Sequence, residues 1–404
     1  MIVTVTPAHL SGNITAPPSK SMAHRYLIAA AMADGVSVID GISDSEDMKA
    51  TISLITALGA TVTKEGSRVT VKGTDVRHAH PTSAIDCREC GSTLRFAIPV
   101  CMLSPHEMCL TGSTRLFERP LSLYKALSDE RGLAFAQEGN ALTVKGCLSG
   151  GHYTLQGDVS SQFVTGLLLA LPLCEEDSTL TLLPPVESRP YIDLTLSALR
   201  AFGVSVEMQD SFTYLIKGGQ AYKACTVTVE GDASNAVFFD ALSYLGHDVT
   251  VAGLPDNCLQ GDIVYRDILP LIAKKDEGDI SLAACPDLGP ILMAMAGISG
   301  YARFTDTRRL RLKESDRAEA MRQELAKFGV TVAVEENRVT VDGSGFHAPN
   351  GMLCGHGDHR IVMALTTLLT VTGGSISGAS AVSKSMPDYF DRLTALGGKI
   401  TYEA

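Results

Sequence analysis

Two stretches decide the fold: Leu58-Gly59 through Val69-Thr70-Val71-Lys72-Gly73, and Phe328-Gly329 through Val339-Thr340-Val341-Asp342-Gly343. Each runs from an apolar segment closing on Leu-Gly or Phe-Gly into an alternating stretch, a polar turn and a second alternating stretch that stops at Gly. The pattern predicts a helix, a left-handed Gly at its C-terminus, a strand, a tight turn and a strand. Arg131-Gly132 to Gly146 and Phe202-Gly203 to Gly218 are of the same type, and the Gly-to-Gly spacings are 14, 14, 15 and 14 residues in chain order. Leu396-Gly397 opens another copy near the end of the sequence. Successive opening glycines lie 73, 71, 126 and 68 residues apart, and the long interval predicts a sixth, eroded unit, placed at Leu271 to Ile280. Repeats of this size are too large for a solenoid module and suit a βα-type subdomain. Six of them predict two domains of three.

A second periodicity runs alongside. Ser19-Lys20-Ser21, Gly91-Ser92-Thr93, Ser160-Ser161-Gln162, Ala233-Ser234-Asn235, Pro286-Asp287-Leu288 and Gly357-Asp358-His359 each precede a nearly uncharged apolar run. Such runs read as buried helices, and Ser, Asp and Asn before them are natural N-caps. If equivalent units point these helices one way, several N-termini converge, and their free N–H groups and dipole ends attract anions.

The 404 residues are enough for two domains of ordinary size, 45% of them apolar and 20% charged. A formal net charge of -11 argues against nucleic acid and anionic membrane as partners. No apolar run has the ~18 residues of a membrane span, and the start Met1-Ile2-Val3-Thr4-Val5-Thr6 alternates like a strand rather than a signal peptide. A cytoplasmic monomer is expected. The ten cysteines are scattered, and Cys87 and Cys90 form a CxxC with no second pair to complete a zinc site, so neither metal nor cofactor is expected. His356, Asp358 and His359 are read as a helix start rather than as metal ligands.

Against this acidic background, Lys20, Arg25, Arg95, Arg119, Lys313, Arg317, Arg360 and Lys384 stand beside predicted helix starts or turns. They read as a cage for small, multiply charged anions. Neither GxxxxGK[ST] nor a GxGxxG opening a βαβ unit occurs, so no nucleotide-phosphate loop is indicated.

Several of these segments are recognisable together. Pro17-Pro18-Ser19-Lys20-Ser21 with Arg25, Cys90-Gly91-Ser92-Thr93-Leu94-Arg95, Arg119-Pro120-Leu121, Ser160-Ser161-Gln162 and Ser188-Arg189-Pro190-Tyr191 come first. Glu230-Gly231-Asp232-Ala233-Ser234, Lys313-Glu314-Ser315-Asp316-Arg317, Asp358-His359-Arg360 and Lys384-Ser385-Met386-Pro387-Asp388-Tyr389 follow. In this order they resemble the signatures of the enolpyruvyl transferases, and among them the 5-enolpyruvylshikimate-3-phosphate synthases.

The resemblance implies a two-domain inverse α/β, barrel-like fold, each domain of three βαβαββ units. Residues 1–17 and 229–404 would form a discontinuous domain and residues 18–228 the other, with the active site in the cleft between them. It implies transfer of the enolpyruvyl group of phosphoenolpyruvate to the 5-hydroxyl of shikimate 3-phosphate, with release of phosphate. By the same resemblance Asp287 is the base at the hydroxyl, Glu314 carries the proton at C3 and Lys20 assists the departing phosphate. Shikimate 3-phosphate would be held by Lys20, Ser21, Arg25, Ser160, Ser161, Gln162, Ser188, Asp287 and Lys313. Phosphoenolpyruvate would be held by Lys20, Gly91, Arg119, Gln162, Arg317, Arg360 and Lys384, Gly91 letting a compact anion approach the backbone.

Three positions depart from the family pattern, His24, Glu89 and Arg309, each standing where Asn is common. Two rivals remain. A UDP-N-acetylglucosamine enolpyruvyl transferase pairs its N-terminal Lys with Asn and usually carries a reactive Cys in the loop before Arg-Pro. Here Ser21 follows Lys20, and Gly112 to Glu118 contains no Cys. An inactive anion-binding scaffold would not need to keep Lys20, Asp287 and Glu314.

Overall fold

The computed structural model describes residues 1–274 and 278–403. The chain divides into two compact units, Met1–Pro17 with Gly231–Ala404, here the first, and Pro18–Glu230, the second.

The second unit holds three four-stranded sheets of one design. In the middle one, Ile85–Asp86 pairs in parallel with Met108–Thr111, which pairs antiparallel with Ala141–Lys145, and that with Ala134–Glu138. The parallel pair is joined by the helix Gly91–Cys101, and the helix Ser122–Glu130 leads into the hairpin, giving β-α-β-α-β-β. Gly151–Gln156, Ser178–Leu183, Thr213–Ile216 and Val206–Met208 repeat the order. The remaining sheet draws its parallel strand, Thr226–Thr228, from the far end of the unit to pair with Val36–Asp40.

In the first unit Asp279–Ser281, Tyr301–Thr305, Arg338–Asp342 and Thr331–Val334 form the same sheet. Another is completed by the N-terminal strand Ile2–Thr6, which lies between Gly374–Ser377 and Lys399–Glu403. The eroded sixth unit differs from the expectation in place and kind. Its sheet is only the parallel pair Asp248–Ala252 with Ser11–Thr15. Of Leu271 to Ile280, residues 275–277 lie outside the described residues, and the rest ends the helix Tyr265–Ala273 and begins the strand Asp279–Ser281. That short connection has no room for a 14-residue hairpin like the others.

The opening glycines Gly59, Gly132, Gly203, Gly329 and Gly397 have φ of 107°, 66°, 76°, 75° and 97°, the left-handed region that ends a helix without a Cβ penalty. All six polar triplets stand at helix starts. The helices are Lys20–Met32, Gly91–Cys101 and Ser161–Ala170 in the second unit, and Ala233–Tyr244, Gly289–Ser299 and His359–Thr372 in the first. Each is buried on nearly every face, as a low-charge sequence requires. The caps are Ser19, Cys90, Ser160, Asp232 and Asp358, whose side chains accept a first-turn N–H. In two triplets the cap, Cys90 or Asp232, therefore sits one residue ahead of the triplet and two ahead of its Ser. Gly289–Ser299 has no side-chain cap and is preceded by the 3-10 turn Pro286–Leu288, which frees the Asp287 carboxylate for other contacts.

Candidate active site

The second unit brings Lys20, Ser21, Arg25, Gly91, Arg119, Ser160, Ser161, Gln162 and Ser188 to the starts of helices and to the turns beside them. Lys20 Nζ donates to Asp47 Oδ2 at 2.6 Å, the two side chains being 16% and 11% exposed. Asp47 lies in the first turn of the helix Glu46–Ala57, capped by Ser45. Arg25 is buried, and four of the five guanidinium N–H donors are engaged: Nε to Thr195 Oγ1, Nη1 to Ser21 O, and Nη2 to Thr165 Oγ1 and Tyr191 O. Burial, opposed by Tyr191, draws its pKa down to about 9.

Gln162 links two core helices, accepting from Arg95 Nη1 at 2.7 Å and donating to Ser92 Oγ at 3.0 Å. Gly91 is tightly hemmed in, but by a side chain: a Cβ there would lie 2.6 Å from Arg119 Nη1 and 2.9 Å from its Cζ. Its lack of a side chain therefore makes room first for the Arg119 guanidinium. Ser188 adopts a left-handed conformation (φ 55°) at the start of the helix Arg189–Ala201.

In the first unit the predicted residues converge on a single carboxylate. Asp287 Oδ1 accepts from Lys313 Nζ at 3.0 Å and from Arg317 Nη1 at 2.7 Å, and Oδ2 accepts from Arg360 Nη2 at 3.3 Å. Burial alone would raise its pKa, but the charges of Arg360, Lys313 and Arg317 hold it well below the usual carboxylate range. Glu314 Oε2 accepts from Arg317 Nη2 at 2.8 Å, so its ion pair is with Arg317 while Lys313 turns to Asp287. Burial lowers Lys313 to about 8 against the pull of Asp287, with Arg317 and Arg309 adding to the fall. Lys384 Nζ donates to Gly357 O at 2.6 Å, just ahead of the helix His359–Thr372.

Two residues outside the predicted set hold these cations in place. Asp358 is fully buried and accepts from Arg317 Nε at 2.8 Å, Ser315 Oγ at 3.1 Å and the Arg360 N–H at 2.9 Å. It holds the Arg317 guanidinium directly and the Arg360 backbone as the helix cap; the sequence places it at a helix start and in the Asp358-His359-Arg360 signature but shows no partner for it. Asp47 does the same for Lys20, and its only sequence signal is a carboxylate behind Ser45 on a half-apolar helix. Arg309, one of the unusual positions, is buried and acts on Lys313 through its charge.

Comparison with known proteins gives this arrangement its class. The fold matches a solved EPSP synthase from Acinetobacter baumannii with a TM-score of 0.79, 24% identity and coverage of 99% of this chain and 100% of that one. It also matches the enolpyruvyl transferase NikO from Streptomyces tendae with a TM-score of 0.80, 16% identity and coverage of 100% and 98%. The architecture is thus that of enolpyruvyl transferase structures. Residues 5–393 match the family model of EPSP synthase (3-phosphoshikimate 1-carboxyvinyltransferase), and the chain belongs to that family. Relatives named 3-phosphoshikimate 1-carboxyvinyltransferase from Clostridium kluyveri and Clostridium beijerinckii are each 36% identical, over 98% of this chain and 98% and 97% of theirs.

Proposed function

We infer that this chain transfers the 1-carboxyvinyl group of phosphoenolpyruvate to the 5-hydroxyl of shikimate 3-phosphate and releases inorganic phosphate. Family membership supports the activity. The observation that ties it to residues is the Asp287 carboxylate ringed by Lys313, Arg317 and Arg360, with Glu314 on the same arginine.

Asp287 takes the proton of the 5-hydroxyl as its oxygen bonds to C2 of phosphoenolpyruvate, and Glu314 delivers a proton to C3. Loss of a C3 proton then restores the double bond as the C2–O bond to phosphate breaks. Lys20 stabilises and protonates that leaving group. Arg119, Arg317, Arg360 and Lys384, with Lys20, Gln162 and the Gly91 backbone, hold the phosphate and carboxylate of phosphoenolpyruvate. Ser21, Arg25, Ser160, Ser161, Gln162, Ser188 and Lys313 hold shikimate 3-phosphate.

Three cations on Asp287 make it a weak base. Anionic substrates compete for the same cations, and each that leaves raises the basicity of the carboxylate. The base is thereby readied only when substrate arrives. Among the described residues no helix is long and apolar enough to cross a membrane; the proposed enzyme works on small molecules as a cytoplasmic monomer. A phosphate-release assay tests the reading: release should require shikimate 3-phosphate and phosphoenolpyruvate together. Release with UDP-N-acetylglucosamine in place of shikimate 3-phosphate, or none with either, would refute it.

A further inference from the structure

Beneath Lys20 lies a cluster that the reaction does not use. It is built from His24 on the helix Lys20–Met32, Asp47 on the helix Glu46–Ala57 and Cys90, the cap of Gly91–Cys101. One ligand atom of each lies within 4.8 Å of the others, and all three residues are buried. His24 Nε2 is 3.6 Å from Cys90 Sγ, and Asp47 Oδ2 is the oxygen that holds Lys20. His24 Nδ1 is 2.7 Å from Thr51 Oγ1, which lies 2.7 Å from Thr93 Oγ1 and is within reach of Asp47 O at 3.4 Å.

This geometry has the proportions of a metal site. A tetrahedral zinc ion with bonds of about 2.3 Å to sulfur and 2.0–2.1 Å to nitrogen needs those two atoms about 3.5–3.6 Å apart. The Thr51 contact at Nδ1 is the outer-shell hydrogen bond that orients a ligating imidazole and leaves Nε2 as the ligand. Burial, helped by the charges of Lys20 and Arg25, keeps the imidazole neutral, as a ligand must be, while the same burial pushes the Cys90 thiol up to about 12, so that the incoming ion has to displace its proton. Thiolate with imidazole and one carboxylate selects a borderline-soft ion over magnesium or calcium.

We propose that His24, Asp47 and Cys90 form an inhibitory site for a borderline-soft divalent cation of the zinc class, which acts by taking Asp47 from Lys20. On binding, the Cys90 thiol gives its proton to solvent as the sulfur–metal bond forms. His24 Nε2 and one Asp47 oxygen replace waters of the hydrated ion, and a remaining water occupies the fourth position. Lys20 keeps its proton and charge but loses the carboxylate that aims it. No oxidation state changes. CxxC spacing directs attention to Cys87, whereas the partners of Cys90 come from two other helices.

Metal binding here is independent of the reaction; the loss of activity rests on the role given above to Lys20. The test is titration of metal-free protein with Co2+, followed by the thiolate-to-cobalt charge-transfer absorption, with phosphate release measured on the same samples. Wild type should develop the band to about one equivalent and lose kcat by at least about 10-fold, up to the roughly 10²-fold expected when the donor is removed altogether. Cys90→Ser, which keeps a capping oxygen, and His24→Asn should both fold, as judged by circular dichroism, and show neither band nor inhibition. Lys20→Met should keep the band, because the lysine is not a ligand. A band that persists in Cys90→Ser, or none in wild type, overturns the site. A band in wild type with undiminished turnover upholds the site but overturns its control of Lys20.

Discussion

Two buried arginines, one in each unit, are satisfied in opposite ways. Arg25 is surrounded by hydroxyls and carbonyls: Thr195, Thr165, Ser21 O and Tyr191 O. Arg317 is surrounded by carboxylates: Asp358, Asp287 and Glu314. Burial pulls the pKa of Arg25 down to about 9, whereas at Arg317 the three carboxylates more than offset burial and drive it up. Dipoles solvate the first charge without cancelling it, so an arriving anion meets an unneutralised field. At the second, an anion must compete with carboxylates already in place. The second unit is thus suited to capture a dianion, and the first to exchange one carboxylate for another and so ready a base.

The sharpest way to break this contrast is Asp287→Asn. It keeps the side-chain shape but removes the carboxylate that three cations share, and kcat should fall by roughly 10²–10⁴-fold, the range for a general base. Retention of more than a tenth of the wild-type kcat in a folded variant would mean that another group takes the proton. On the other side, Lys20→Met should still fold but melt lower, since it leaves the nearly buried Asp47 carboxylate without its cation, and should lower kcat by about 10²-fold. Near-normal turnover would remove Lys20 from the chemistry.

A smaller effect is expected at Gly91→Ala. Its Cβ would press on Arg119, and displacing one charge-assisted contact should raise KM for phosphoenolpyruvate roughly 10-fold with kcat less changed. An unchanged KM would show that Arg119 does not hold that substrate. The smallest concerns pH. The depressed pKa of Lys313, about 8, means that it is charged below that pH and loses its proton above it. KM for shikimate 3-phosphate should therefore rise as pH passes 8, and Lys313→Arg should flatten the profile. A wild-type profile flat between pH 7 and 9 would show that Lys313 does not contact the phosphate.

Much of the fold was legible because the hairpin that ends each repeat writes itself twice, as alternation and as a glycine that must take positive φ. Where the hairpin is missing the sequence carries no such mark, and spacing alone points to Leu271 rather than to Asp248–Ala252. The cations were legible singly, since each stands in a short local signature. Their partners were not. Asp47 reaches Lys20 from 27 residues away and Asp358 reaches Arg317 from 41 residues away, each across two helices. Only packing sets such distances, and no spacing rule carries them.

The central claim is that Asp287 and Glu314 divide the proton transfers, one at the hydroxyl and one at C3. Incubation in D2O with both substrates, followed by mass spectrometry of phosphoenolpyruvate and product, tests it directly. Wild type should place deuterium at C3 only when shikimate 3-phosphate is present, and Glu314→Gln should lose that incorporation along with turnover. Phosphate release without deuterium at C3, or incorporation undiminished in Glu314→Gln, would contradict the account.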